Sequence, residues 1–274
     1  MTRDSWIRGA LVLGAAAGVF ILERRLRARP SREPWARHTA RNLTMAAVAA
    51  ATVRIVETPL VLPMAALVER RGWGLTALIG GPRWLRAVIA LALLDYTLYV
   101  WHIATHHVPL LWRFHLVHHV DLDLDATTAL RFHGGELALS VPWRLAQVAA
   151  IGVPPGVLLL WQSLTLASIL FHHSNTALPR AIERAAGWFV VTPRMHAIHH
   201  STDRAQRDRN FSSGLAVWDR LHRTLRLDAQ PGDVAIGIAG YLDERKVTLP
   251  QILILPAAVN HEGLAASTTG TKTQ

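Results

Sequence analysis

The histidines of this chain gather in short clusters: His102-x3-His106, His115-x2-His118-His119 and, far downstream, His196-x2-His199-His200. A helix places residues three and four apart on one side, so each cluster presents its imidazoles together. Neutral imidazole is the commonest transition-metal ligand. An isolated histidine is more often a hydrogen-bonded core residue, but the pattern HxxHH occurs twice here among 15 histidines in 274 residues, which chance placement rarely gives. The fold therefore has to carry stretches distant in sequence to one place. A single metal takes only three to five protein ligands, so eight or nine imidazoles imply two metals, or one metal with a large supporting layer. We read a dinuclear site. The chain has no cysteine, which excludes thiolate sites, iron–sulfur clusters and disulfides and leaves nitrogen and oxygen as ligands.

Net charge is +10 with pI about 11.3, a balance that would suit nucleic acid. Mean hydropathy is nonetheless positive and 51% of residues are apolar, so the arginines read as the cytoplasmic loops of a membrane protein and no nucleic-acid partner is expected. The first apolar run, residues 9–22, is barely long enough to span, and Arg24, Arg25, Arg27, Arg29, Arg32, Arg37 and Arg41 follow it, against Arg3 and Arg8 before it. That asymmetry predicts a retained first helix with its N-terminus outside. A second span is predicted over about 43–68, bent by Pro59 and Pro63, with Arg54 and Glu57 neutralising each other at i, i+3. A third runs from about residue 85 into the first histidine cluster. Residues 145–170 carry no charge but are broken by Pro154-Pro155-Gly156, which together with 137–143 predicts a hairpin of two short helices. The expected fold is an all-α integral-membrane bundle of about three spanning helices plus this hairpin, with a cytoplasmic helical cap carrying the histidine-rich dimetal site. Its organisation reads as N-terminal membrane helices and a basic loop (1–84), a histidine-bearing body (85–247) and a short apolar segment with a disordered tail (248–274). Counting the passages places every cluster on the cytoplasmic side.

On the third helix Asp95, Tyr99, His102 and His106 form one stripe. Asp95 lies about 16 Å from His106 along the axis, too far to share its metal, but able to orient another imidazole; a buried arginine such as Arg54 is the alternative partner. Asp121, Asp123 and Asp125 lack the glycine and glutamate of a calcium loop and read as helix-end or solvated acids. Thr192-Pro193 reads as the N-cap and first residue of the helix bearing the last cluster.

These clusters stand in order with Asp95-Tyr96-Thr97-Leu98-Tyr99-Val100-Trp101-His102, Arg131-Phe132-His133, Phe171-His172-His173-Ser174-Asn175, Asn210-Phe211 and Trp218-Asp219-Arg220-Leu221. Over about residues 90–225 the chain resembles the fatty acid hydroxylase and sterol desaturase superfamily, integral-membrane non-haem diiron oxygenases. The resemblance implies that His102, His106, His115, His118, His119, His196, His199 and His200 are metal ligands, with His173 the additional one. His133, Asp95 and Asn175 are further candidates, as ligands or as partners of ligands. Gly134 stands where the family usually has proline. His107 and His172 are left outside the shell.

What the resemblance implies for function is O2-dependent hydroxylation, or desaturation, of a C–H bond in a lipid-like substrate such as a fatty acyl chain, a sterol or a carotenoid. Two iron ions would be the cofactor, with zinc an adventitious occupant. The chain has no flavin or nicotinamide fingerprint and no haem segment, so a separate ferredoxin, cytochrome or reductase must supply electrons. The basic surface of Arg204, Arg207, Arg209, Arg220, Arg223 and Arg226 can dock such a carrier or the headgroups of membrane lipids. The location implied is the bacterial inner membrane. Two other readings stand beside this one. Zinc-based hydrolysis lacks HExxH and its general-base glutamate. A histidine-lined metal transporter, or a metal- or haem-binding protein without turnover, would spread its ligands along a path.

Overall fold

Within lipid a backbone has to satisfy its own hydrogen bonds, and the apolar runs of this chain do so as helices. The computed structural model describes residues 3–259; among these the chain is helical, with only isolated β-bridges. Helices α1 (Arg3–Arg25), α2 (Trp35–Thr52), α3 (Thr58–Arg71), α4 (Leu75–Leu78) and α5 (Arg83–His107) lead to α6 (Pro109–His119). The pair α7 (Gly134–Ile151) and α8 (Pro155–His173) follows. Short helices α9 (Arg180–Ala186), α10 (Pro193–His199), α11 (Arg204–Arg207) and α12 (Val217–Leu221) build the remaining wall, and α13 (Leu249–Ala258) closes the described chain.

Four stretches are long and apolar enough to cross a membrane: Trp6–Arg25, Trp35–Leu78, Arg83–His107 and Pro155–His173. The protein is a helical membrane bundle. The expected hairpin is present, but its arms are not short: α7 has 18 residues and α8 has 19. Pro154 and Pro155 occupy the N-cap and first turn of α8, where a missing N–H breaks no hydrogen bond, so the break falls cleanly between two full helices.

The expected Arg54–Glu57 pair does not form. Val53–Glu57 is a π-helical turn joining α2 to α3, and its wider i→i+5 geometry rotates the two side chains apart. Buried Glu57 instead accepts from Gln162 Nε2 at 3.1 Å and lies 3.9 Å from Arg144 Nε, while Arg54 is exposed.

Apolar side chains of α3, α5, α7 and α8, among them Val61, Val68, Leu94, Val148 and Trp161, form one core. A second joins α6 to α13 through Trp112, Leu116, Ile252 and Leu255. Residues 260–274, where the tail was expected, lie outside the described residues. Of the acids expected at the helix end or in solvent, Asp121 follows the end of α6 and is buried, while Asp123 and Asp125 are half-buried. Asp121 is fully buried between Arg131 (3.3 Å), Arg41 (3.1 Å) and His38 (3.0 Å), and Asp123 accepts from the backbone N–H of Arg32 and Glu33. Burial would raise the Asp121 carboxyl, but Arg131, His38 and Arg41 overrule it and hold it well below the usual carboxylate range.

Candidate metal centre

The C-terminal ends of α5, α6 and α8 converge with α10, and each delivers histidine. One ring nitrogen from each of His102, His106, His115, His119 and His199 lies within 4.8 Å of every other, and the same holds for His118, His173, His196 and His200. All nine side chains are buried. The two groups abut, since the rings of His119 and His200 stack with centroids 4.4 Å apart and those of His118 and His119 lie 5.4 Å apart.

The spacing of HxxHH explains the division. In both repeats the first and last histidine, four residues apart, turn to one group, and the middle one, on the far side of the same face, crosses to the other. His115 and His119 thus join the five-membered group and His118 the four-membered one, whereas His196 and His200 join the four-membered group and His199 the five. The repeats interlock in opposite senses.

Several rings are aimed by oxygen acceptors. His102 Nδ1 donates to Phe211 O at 2.7 Å, His199 Nδ1 to Arg209 O at 2.8 Å, His173 Nδ1 to Ile169 O at 2.7 Å and His115 Nδ1 to Glu136 Oε1 at 2.8 Å. Each acceptor fixes the proton on Nδ1 and leaves the Nε2 lone pair facing the group. Two of these carbonyls flank Asn210, whose φ of 53° is left-handed. Its side chain holds that turn by donating to Met195 O and Arg226 O and accepting from Arg226 N–H at 2.7 Å. Asp219 accepts from the N–H of Phe211 and Ser212 and secures the same strand of chain.

The donor set fits metal. Nε2 of His173 lies 3.0 Å from that of His118 and 2.9 Å from that of His196, which lies 3.1 Å from that of His200. Adjacent ligands about 2.1 Å from one octahedral ion would stand about 3.0 Å apart. In the other group Nε2 of His106, His115, His119 and His199 is buried without a hydrogen-bond partner, which buried polar atoms rarely tolerate. Burial first, then neighbouring imidazoles, pushes His118, His119, His196, His199 and His200 well below the ordinary histidine value, so they stand neutral and ready to ligate.

The further candidates fall elsewhere. Among the described residues Asp95 meets no imidazole and no arginine; it accepts from Leu215 N–H at 2.9 Å and Trp218 Nε1 at 2.7 Å, because the segment before α12 folds back along α5. A Cβ on Gly214 would stand 2.2 Å from Asp95 Oδ1, so glycine permits that approach. His133 caps α7 by accepting from Gly135 N–H at 2.9 Å, and its Nε2 reaches Leu253 O at 3.1 Å. Gly134 beside it lets α7 start against α2, where a Cβ would meet Thr52 Oγ1 at 2.7 Å. Asn175 pins the chain after α1, exchanging hydrogen bonds with the backbone of Arg29. Of the two omitted histidines, His107 is exposed, whereas His172 is buried with its ring 4.1 Å from that of His196. Sequence reasoning missed Glu136, legible as a lone acid entering an apolar helix, and carried Asn210 only as part of a motif, since its role comes from backbone conformation.

The sequence profile of the fatty acid hydroxylase family matches residues 87–224, half of the chain. The chain is 28% identical over 159 residues to ornithine lipid hydroxylase OlsE of Rhizobium tropici, covering 58% of this chain and 47% of that protein. It is 26% identical over 137 residues to human alkylglycerol monooxygenase, covering 49% and 29%, and 28% identical over 159 residues to rat cholesterol 25-hydroxylase, covering 57% and 52%. The chain thus spans about half, or less, of the length of these relatives. No solved structure matches it. With both HxxHH repeats inside the matched residues, the chain belongs to the fatty acid hydroxylase family.

Proposed function

We propose that the protein is an iron- and O2-dependent membrane oxidoreductase that hydroxylates a C–H bond of a lipid-like substrate. The observation that carries this reading is the pair of abutting groups, five and four buried imidazoles, gathered where α5 and α8, two helices apolar enough to span a membrane, end against α6 and α10. His102, His106, His115, His119 and His199 would hold one iron and His118, His173, His196 and His200 the other. An all-nitrogen iron pair supplies activation of O2 for attack on an unactivated C–H bond. The chain's own residues keep that chemistry in place: Glu136 and the carbonyls of Arg209, Phe211 and Ile169 fix ring orientation, while Trp112 and Phe132 pack on the imidazoles and limit water.

The relatives named above are hydroxylases and a monooxygenase of lipids, which favours hydroxylation over desaturation. The arginines after α1 favour a cytoplasmic location for the centre, at the inner membrane of a bacterium, with electrons supplied by a separate carrier. The test uses full-length protein in lipid nanodiscs, loaded with Fe(II) and given a reductant, 18O2 and an extract of membrane lipids. One labelled oxygen gained by a lipid is expected, lost in His118→Ala and in His199→Ala. Loss of two hydrogens without oxygen would mean desaturation. Turnover surviving both substitutions would overturn the ligand assignment.

A further inference from the structure

A cavity of about 710 Å³, with no histidine in its lining, lies between α9 and α10. Arg180, Arg184, Arg194 and Arg220 line it, and the one carboxylate among its lining residues, Glu183, is occupied by the hydroxyl of Thr192. Two of the guanidiniums are built in place: Arg194 donates to the carbonyls of Leu227 and Ala229, and Arg220 donates to Gly187 O while lying 4.5 Å over the ring of Trp188. Arg180 and Arg184 make no hydrogen bond or ion pair among the described residues, although they stand four apart on α9, where like charges repel. Arg180 and Arg184 are exposed and Arg194 and Arg220 half-buried around this one space, where four guanidiniums outnumber the single carboxylate of Glu183.

The rim says which anion. Trp188 is 66% exposed and Phe189 72%, and Val190 is bridged to Leu215, whose N–H is held by Asp95. Because Asp95 lies about 16 Å along α5 from His106, this apolar rim runs beside a spanning helix, toward the acyl layer. The cavity itself lies at the level of the metal centre, since Arg194 precedes His196 by two residues on α10. We propose that this cavity binds the phosphate headgroup of an anionic membrane lipid, with Trp188 and Phe189 set among its acyl chains.

The test is retention of phosphatidylglycerol by the full-length protein in mild detergent, read by native mass spectrometry, independent of turnover. At least a tenfold loss of affinity is expected in Arg180→Ala/Arg184→Ala, retention in Arg180→Lys/Arg184→Lys, and weakened lipid binding in Trp188→Ala/Phe189→Ala. Melting in lipid-free detergent checks folding, and the single Arg184→Ala replaces the double variant if that one fails to fold. Three results would overturn the proposal: equal retention by wild type and the alanine variants, phosphatidylcholine bound as tightly as phosphatidylglycerol, or complete displacement by millimolar inorganic phosphate, which would make this a site for a soluble anion.

Discussion

Individual histidines divide between two groups according to where they stand in HxxHH, and that division is measurable. His199→Ala and His196→Ala are each expected to lower bound metal by about one of two ions per chain while membrane insertion persists, as read by elemental analysis of membrane fractions. Glu136→Gln keeps the side-chain size but removes the charge that anchors His115 Nδ1. A loss of about 10–100-fold in metal affinity is expected, measured by chelator competition. The metal-free protein should also be acid-sensitive. His118, His119, His196, His199 and His200 have folded values well below the ordinary 6.5, so on acidification the unfolded chain takes up their protons first. Stability is therefore full above about pH 6.5 and falls as the pH drops toward the folded values, a trend that melting temperatures from about pH 7.5 to about pH 5.5 would show. An unchanged melting temperature across that range would contradict the burial of neutral rings.

At the scale of elements, the stretch from Asn210 to α12 acts as a strut between α5, α10 and the centre. Its left-handed Asn210 turns the carbonyls on either side of it, those of Arg209 and Phe211, toward His199 and His102, both of the five-membered group. Asn210→Ala removes three side-chain hydrogen bonds and leaves an alanine in a strained conformation; a cost of about 2–4 kcal/mol is expected, with metal lost first from that group. Asn210→Gly relieves the strain alone and should recover part of the stability, which separates the two contributions in denaturant titrations. Asp95 anchors the other end of the strut, an outcome that the helical stripe could not reveal. The stripe was legible because Asp95, Tyr99, His102 and His106 recur at helical spacing; the partner was not, because Leu215 and Trp218 are 120 and 123 residues away.

For the molecule as a whole, α2 is tied to the family-matching body by a buried ionic knot. Asp121 follows the second histidine cluster directly, and it holds Arg41 and His38 of α2 together with Arg131. Removing one partner leaves the others charged and buried, so Asp121→Asn is expected to lower stability by about 3–5 kcal/mol, measured by unfolding in detergent. If the variant melts like the wild type, residues 29–42 are not coupled to the centre in this way.

The sequence by itself determined the local terms. Apolar runs gave spanning helices, proline gave the break between α7 and α8, and the i, i+3 and i+4 spacing of histidine gave clusters that point one way, because each depends on residues only a few positions apart. The all-helical membrane fold and the abutting imidazole groups were readable on that basis. Tertiary structure alone decided which ring joins which group, that His133 and Asn175 hydrogen-bond to backbone, and that Asp121 is buried among cations. Those outcomes depend on which carbonyl, guanidinium or glycine surface arrives from a remote segment, and hydrogen-bond geometry in a low-dielectric interior then selects the partner.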